Sequence, residues 1–184
     1  TDNCTGSFWG YSTTGATTLS SSGNTKADGT GSGVLSFNKG VTVVTLTGID
    51  AASNAAISTT FTVTVNDTQV PTISGCPGNQ SLNVIANTCA ASYSIPAPTI
   101  ADNCSGPYTW NASFSGNANG NPTNLTGIAN GSASSPVSFN KGSTTVTLNS
   151  VDASNNVSTS TCTFTVTVVD NQAPTITCSG PVTI

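Results

Sequence analysis

A block of about 100 residues occurs twice in this chain, and this internal repeat limits the fold more than any other feature. Each segment of the first copy returns about 102 residues later, and the segments keep their order. A repeated order of this kind is typical of proteins built from tandem structural units. The matching segments are SFNKG at 36–40 and 138–142, TVVTLTGIDAASN at 42–54 and STTVTLNSVDASNN at 143–156, TFTVTVND at 60–67 and TFTVTVVD at 163–170, and PTISGC at 71–76 and PTITC at 174–178.

The period of the repeat predicts where one unit ends and the next begins. Residues 1–69 are expected to form a unit that lacks its opening strands, 70–172 a complete unit, and 173–184 the first strand of a third. The short connection at Pro71 predicts neighbours held end to end, since proline fixes φ. The open sheet edge of the first unit must be covered. Either upstream chain covers it, or residues 173–184 of another copy add a strand there.

Within each unit the apolar residues recur at every second position, which is the period of a half-buried β-strand. Threonine, which has good strand propensity, fills most of the positions between them. Short strands, frequent turn signals and about 100 residues per unit predict an antiparallel β-sandwich, and no segment predicts a helix. The alternating apolar residues are Phe61, Val63, Val65, Val146, Leu148, Phe164, Val166 and Val168.

The composition excludes several classes of function. Three lysines and no arginine leave no basic patch for nucleic acid, and no apolar run approaches the roughly 20 residues of a membrane-spanning helix. The absence of His, Glu and Arg leaves no evident nucleophile–base pair, so we expect no enzyme. Six cysteines without histidine or CxxC spacing indicate disulfides rather than zinc. Disulfides in turn predict a secreted or cell-surface protein.

Taken together, the blocks resemble the hyalin repeat family of immunoglobulin-like extracellular adhesion domains. The added Cys89 and Cys104 resemble a variety common in Bacteroidetes-type surface adhesins and filaments. The resemblance implies tandem immunoglobulin-like antiparallel β-sandwiches arranged end to end. The residues that carry it are Pro71–Pro77, Pro98–Asn103, Phe139–Val146, Asp152–Asn156 and Cys162–Asp170.

In a sandwich of this type the first strand runs parallel to the last, which implies that Cys76 pairs with Cys162. Cys89 and Cys104 are then the remaining pair, provided that the chain doubles back between them. If it does not double back, Cys104 is the better partner for Cys76 or Cys162. Cys4 and Cys178 would find partners beyond residues 1–184, and the first unit has Thr59-Thr60 where the second has Cys162.

All seven acidic residues are aspartates, and six of them recur in equivalent pairs. Asp67 follows the last strand of the first unit, while Asp102 and Asp152 lie in loops expected at the near end of the second. These three could converge with other oxygens on a Ca²⁺ ion at the junction, because calcium takes 6–8 oxygen ligands in irregular geometry. The alternative is that each aspartate caps its own turn. No other cofactor is implied.

Two aromatic stretches, around Trp9 and Trp110, follow the repeated Asp-Asn-Cys triplet. A strand-borne tryptophan in a sandwich usually belongs to the core, whereas an exposed one could stack on a sugar ring. Lys39 and Lys141 lie in the repeated FNKG segment, which is typical of a solvated turn.

These features predict a structural segment of an extracellular or cell-surface filament or adhesin, in which tandem sandwiches form a stiff rod. The expected partners are neighbouring repeats or further copies of the chain. The alternative is a glycan-binding module of a secreted protein, which would recognise cell-surface sugars through Trp9 or Trp110.

Overall fold

The computed structural model describes residues 8–20, 25–26, 35–178 and 180. The chain is all-β, and its described part contains no helix. Accordingly, the described residues include no helical segment with the length and hydropathy needed to cross a membrane. The chain divides into two compact units, Thr1–Asp67 and Thr68–Ile184, close to the boundary predicted after residue 69.

The first unit contains one antiparallel sheet of four strands in the order β2-β1-β3-β4. Its centre is the long strand β3, which pairs with β1 on one side and with β4 on the other. The strands are β1 (Phe8–Gly15), β2 (Thr25–Lys26), β3 (Gly40–Ile49) and β4 (Thr59–Val65).

The described residues of the second unit form nine strands in three sheets. A five-stranded sheet has the order β10-β9-β12-β13-β6, and two smaller sheets pair β11 with β7 and β5 with β8. β6 runs parallel to β13, whereas the other pairs are antiparallel. The strands are β5 (Thr72–Ser74), β6 (Gln80–Asn83), β7 (Ala90–Tyr93), β8 (Thr99–Ala101), β9 (Thr109–Ser115), β10 (Leu125–Ala129), β11 (Val137–Asn140), β12 (Gly142–Val151) and β13 (Cys162–Val169).

The period-two pattern of the sequence produces one buried face on the large sheet. In β12 and β13 every second side chain is buried, and the threonines between them point away from the core. Because successive side chains of a strand point to opposite faces, this alternation fixes which face is covered. The stripe on β13 consists of Cys162, Phe164, Val166 and Val168.

The two small sheets and the connection after β7 cover that face. Phe139 of β11 and Ile95 are completely buried, and the Phe139 ring meets Phe114 of β9 edge-on at 5.6 Å. Ile73 of β5 and Ile100 of β8 join the same apolar cluster. The core of the second unit therefore lies between two β layers.

The two units use the same ladder register. Val44 lies opposite Phe61 in the first unit, as Val146 lies opposite Phe164 in the second. Burial nevertheless differs: Phe164 is 3% exposed, whereas Phe61 is 50% exposed. Among the described residues, the sheet of the first unit has no second layer like that of the second unit.

The difference in burial predicts unequal costs for two equivalent substitutions. Phe164→Ala should lower the free energy of unfolding of the second unit by about 3–5 kcal/mol, because it opens a cavity in a packed core. Phe61→Ala should lower that of the first unit by less than about 2 kcal/mol, because half of the ring is already in water. Hydrogen exchange read out separately for each unit measures both. Equal losses at the two positions would contradict this account of the layers.

Candidate functional site

The second unit is closed by one disulfide between its opening and closing segments. Cys76 and Cys162 are bonded, with their Cα atoms 5.4 Å apart and a sequence separation of 86 residues. Cys162 begins β13 and is completely buried. The parallel pairing of β6 with β13 explains the contact, because it places the segments that precede the two strands at the same end. This is the pair implied by the family resemblance.

The predicted disulfide between Cys89 and Cys104 is wrong, because the two residues lie at opposite ends of the long strand β12. The Cys89 carbonyl accepts a hydrogen bond from the amide of Lys141, immediately before β12 begins. The Cys104 carbonyl accepts one from the hydroxyl of Tyr108, next to Thr109, which pairs with the last residue of β12. Ten strand residues span roughly 30 Å, whereas a disulfide needs Cα atoms within about 7 Å.

The alternative partners for Cys104 are also excluded, since Cys76 and Cys162 bind each other. Cys89 and Cys178 are exposed thiols. Cys4 lies outside the described residues. The chain between Cys89 and Cys104 does not double back: Ile95 is tied to Ser134 by two hydrogen bonds, and β8 then pairs with β5.

Asp50 and Asp152 hold two matching turns, one in each unit. In the second unit the Oδ1 atom of Asp152 accepts from the amides of Ser154 and Asn156, at 2.8 Å each. Its Oδ2 atom accepts from the Asn156 side chain, also at 2.8 Å. Asn155, between them, has a φ of 66°, a conformation that Asn tolerates better than most residues. The repeated Asp-x-x-x-Asn segment is therefore a turn held by the carboxylate of its first residue.

The turn of the first unit repeats this geometry. Asp50 accepts from the amides of Ala52 and Asn54 and from the Asn54 side chain. These hydrogen bonds, with the Asn54 side chain first, lower the pKa of Asp50, because they favour its charged form. The turn-cap interpretation thus accounts for the hydrogen bonds within both turns, at Asp50 and at Asp152.

Asp102 is only partly explained as a turn cap. Its Oδ1 atom accepts from the amide of Cys104 at 2.9 Å. Its Oδ2 atom is buried and has no hydrogen-bond partner among the residues that the structure describes. A buried carboxylate oxygen without a donor is unfavourable, and a bound cation is one group that would satisfy it.

Each unit also has a lysine–aspartate ion pair that the sequence interpretation missed. The Nζ atom of Lys39 lies 3.4 Å from the Oδ2 atom of Asp67, and the Nζ atom of Lys141 lies 3.4 Å from the Oδ2 atom of Asp170. The lysines come from the repeated FNKG segment, and the aspartates directly follow the last strand of each unit. In the sequence the lysine and the aspartate lie 28 residues apart in the first unit and 29 in the second. Only the pairing of the strands between them shows that the two side chains meet.

The two ion pairs are partly solvated. Asp170 also accepts from the amide of Gln172, and this hydrogen bond, followed by the one from Lys141, lowers the pKa of Asp170. In both pairs the lysine is the more exposed partner, and the Asp67 side chain is only 2% exposed. The main effect of the two pairs is to fix how the FNKG turn meets the end of the unit.

The proposed calcium ligands therefore have different surroundings. Asp152 accepts three hydrogen bonds from its own turn, Asp67 pairs with Lys39, and the Oδ2 atom of Asp102 has no hydrogen-bond partner among the residues that the structure describes. The junctional calcium site stays a prediction.

The two candidate tryptophans occupy the same ladder position in the two units but differ in burial. Trp110 is completely buried, and its Nε1–H donates to the carbonyl of Ser132 at 3.2 Å. It is a core residue and leaves no ring face for a sugar. Trp9 is half-buried on β1, with its ring centroid 6.5 Å from that of Tyr11. Of the two, only Trp9 offers ring surface to a ligand.

A comparison with protein-family models finds no match, and a search of the curated proteins finds no significant match either. The hyalin repeat resemblance is thus still a prediction from sequence order.

The cysteine assignment can be tested chemically. Alkylation of the unreduced protein should modify Cys89 and Cys178, while Cys76 and Cys162 react only after reduction. The double variant Cys76→Ser/Cys162→Ser should lose about 4 kcal/mol of stability in the second unit, as expected for a loop of this size in the chain-entropy model. Peptide mapping and urea unfolding measure these effects. A peptide containing a Cys89–Cys104 bond would overturn the assignment.

The aspartate turns provide a matched pair of substitutions. Asp152→Ala should lower the free energy of unfolding by about 2–3 kcal/mol, because it leaves three part-buried donors without their acceptor. Asp50→Ala removes the same hydrogen bonds from a more exposed turn, where water replaces them, and should lower stability less than Asp152→Ala does. Thermal unfolding followed by circular dichroism provides the comparison. A negligible effect of Asp152→Ala would refute the role of this turn.

Proposed function

We propose that the chain is a structural repeat segment of an extracellular or cell-surface filament or adhesin. Its units would act as stiff spacers, joined end to end, that carry an adhesive part of the protein away from the surface. We infer no catalytic role.

The observation that carries this proposal is the repetition of structural details rather than of a ligand site. The ladder register, the aspartate turn and the lysine–aspartate pair occur in both units. All three stabilise strands or turns. Repetition of stabilising features, with different loops between them, is expected where the length of an array matters more than the chemistry of one site.

The cysteines fit a location outside the cell, and the net charge fits lateral contact between rods. Disulfides persist in oxidising compartments, and the second unit contains one. The net charge of −4 on 184 residues gives weak mutual repulsion, which favours lateral contact between rods.

Calcium would add stiffness in this proposal by binding at the junction between units. Asp67, Asp102 and Asp152 remain the proposed acidic ligands, and the unpartnered Oδ2 of Asp102 is the observation in favour. Addition of Ca²⁺ should raise the melting temperature of the wild-type chain, and a chelator should reverse the rise. Asp102→Asn is the matched control, since it keeps the Oδ1 acceptor while weakening cation binding. An identical response of the variant would end the calcium proposal.

Small-angle scattering of the 184-residue chain tests the rod itself. A stiff junction should give a narrow, elongated distance distribution, and insertion of a flexible Gly-Ser segment after Thr68 should broaden it. If the insertion leaves the distribution unchanged, the units are already hinged and the proposal of a stiff spacer fails.

The second candidate is a glycan-binding module, and the half-buried Trp9 beside Tyr11 is the observation that favours it. Aromatic rings on one strand face can stack on sugars. Binding to a glycan array that is lost in Trp9→Ala and retained in Tyr93→Ala, a partly buried tyrosine of the second unit, would support it. If no glycan on the array binds, the glycan-binding proposal fails and the structural proposal is unaffected.

A further inference from the structure

The dipeptide Asn-Gly occurs twice in the chain, at Asn119–Gly120 and at Asn130–Gly131, and both copies lie in turns of the second unit. In this dipeptide the main chain attacks the asparagine side chain readily, because glycine has no Cβ atom to shield its amide nitrogen. The attack requires that the asparagine carboxamide and the glycine amide are both able to move. These two groups have different surroundings in the two turns.

At Asn119–Gly120 both reacting groups are held by hydrogen bonds. The Nδ2 atom of Asn119 donates to the carbonyl of Lys141 at 2.7 Å, and the amide of Gly120 donates to the carbonyl of Asn117 at 3.2 Å. The side chain of Asn140 also donates to the carbonyls of Asn119 and Gly120, at 2.8 and 3.3 Å. The carboxamide and the amide must leave these partners before they can react, so this turn is protected.

At Asn130–Gly131 the same two groups are in water. The turn runs from Ala129 to Ser132, and the amide of Ser132 closes it by donating to the carbonyl of Ala129 at 3.1 Å. Gly131 has a φ of 79°, and no atom lies within 4 Å of the place where its Cβ would be. Asn130 and Gly131 are both exposed. Within the part of the chain that the structure describes, neither the Asn130 carboxamide nor the Gly131 amide forms a hydrogen bond.

We propose that Asn130 is a site of spontaneous deamidation, which converts it to aspartate and isoaspartate. The amide nitrogen of Gly131 attacks the Cγ atom of Asn130, a new N–Cγ bond forms, and the Cγ–Nδ2 bond breaks. The Nδ2 group leaves as ammonia with the proton that the Gly131 amide loses. Water then opens the cyclic imide. Opening at Cγ gives aspartate, and opening at the main-chain carbonyl carbon gives isoaspartate, in which the main chain passes through Cβ and Cγ.

The turn at Asn130 also holds a buried tryptophan, so the modification acts on the core. The carbonyl of Ser132 accepts from the Nε1–H group of Trp110, and Ser134 exchanges two hydrogen bonds with Ile95. Isoaspartate lengthens the main chain after position 130 by an additional carbon atom, which displaces the Ser132 carbonyl from Trp110. A buried indole N–H group that loses its acceptor destabilises the folded unit.

Peptide mapping of the folded 184-residue chain after incubation in mildly alkaline buffer tests the site. Asn130 should deamidate at least roughly tenfold faster than Asn119, because the hydrogen bonds at Asn119–Gly120 must break before the attack. In urea the two rates should become similar, since the difference comes from the fold. Asn140→Ala is the matched variant: it should speed deamidation at Asn119 and leave the rate at Asn130 unchanged.

Equal rates at the two asparagines of the folded chain would overturn the proposal. The same holds for a rate ratio that persists in urea, or for an Asn130 that stays intact while the unfolded chain deamidates.

The melting temperature of the modified chain gives an independent readout. Ion exchange separates the deamidated chains by their added charge, and the isoaspartate form should melt below the unmodified protein. Asn130→Asp is the control, because it adds the same charge to a main chain of normal length and should melt close to the wild type. If the isoaspartate form melts like Asn130→Asp, the link to Trp110 is wrong. None of these results depends on whether the chain forms a filament or binds glycans.

Discussion

The constraint on which the structure depends is that a β-sheet with one apolar face needs a second layer over it. In the second unit the stripe Phe164, Val166 and Val168 faces the small sheets, and each fully buried side chain of this size contributes about 1.5–3 kcal/mol. The polar features stabilise this arrangement locally: the aspartate turn connects β12 to β13, and the disulfide joins the opening segment to β13. The first unit has the same strand ladder, but Phe61, the counterpart of Phe164, is 50% exposed.

The strands and their pairing could be predicted from the sequence because both depend on local, repeated signals. Alternation of Phe and Val with Thr sets the buried face without knowledge of the partner strand. The order of the repeated blocks gives the unit boundary, and the parallel relation of the opening and closing strands explains why Cys76 meets Cys162. The register at Val44 and Val146 then follows from the turns at Asp50 and Asp152, whose hydrogen bonds are nearly the same.

Features that depend on the path of the chain in space could not be predicted in this way. Cys89 and Cys104 are only 15 residues apart in sequence, yet the chain runs along the unit between them. Trp9 and Trp110 have equivalent ladder positions, yet one is half-buried and the other lies in the core. The ion-pair partners of Lys39 and Lys141 could not be predicted either, since a lysine in a glycine-containing turn is usually solvated.

The position of the disulfide determines how the second unit responds to mechanical load. A force that enters before Cys76 and leaves after Cys162 is transmitted through the sulfur–sulfur bond and not through the residues enclosed between the two cysteines. That segment, closed by two cysteines with a sequence separation of 86, would otherwise add roughly 300 Å of length on unravelling, at about 3.4 Å per residue. The covalent link withholds that extension, so the second unit lengthens only slightly under tension even after its hydrogen bonds have broken.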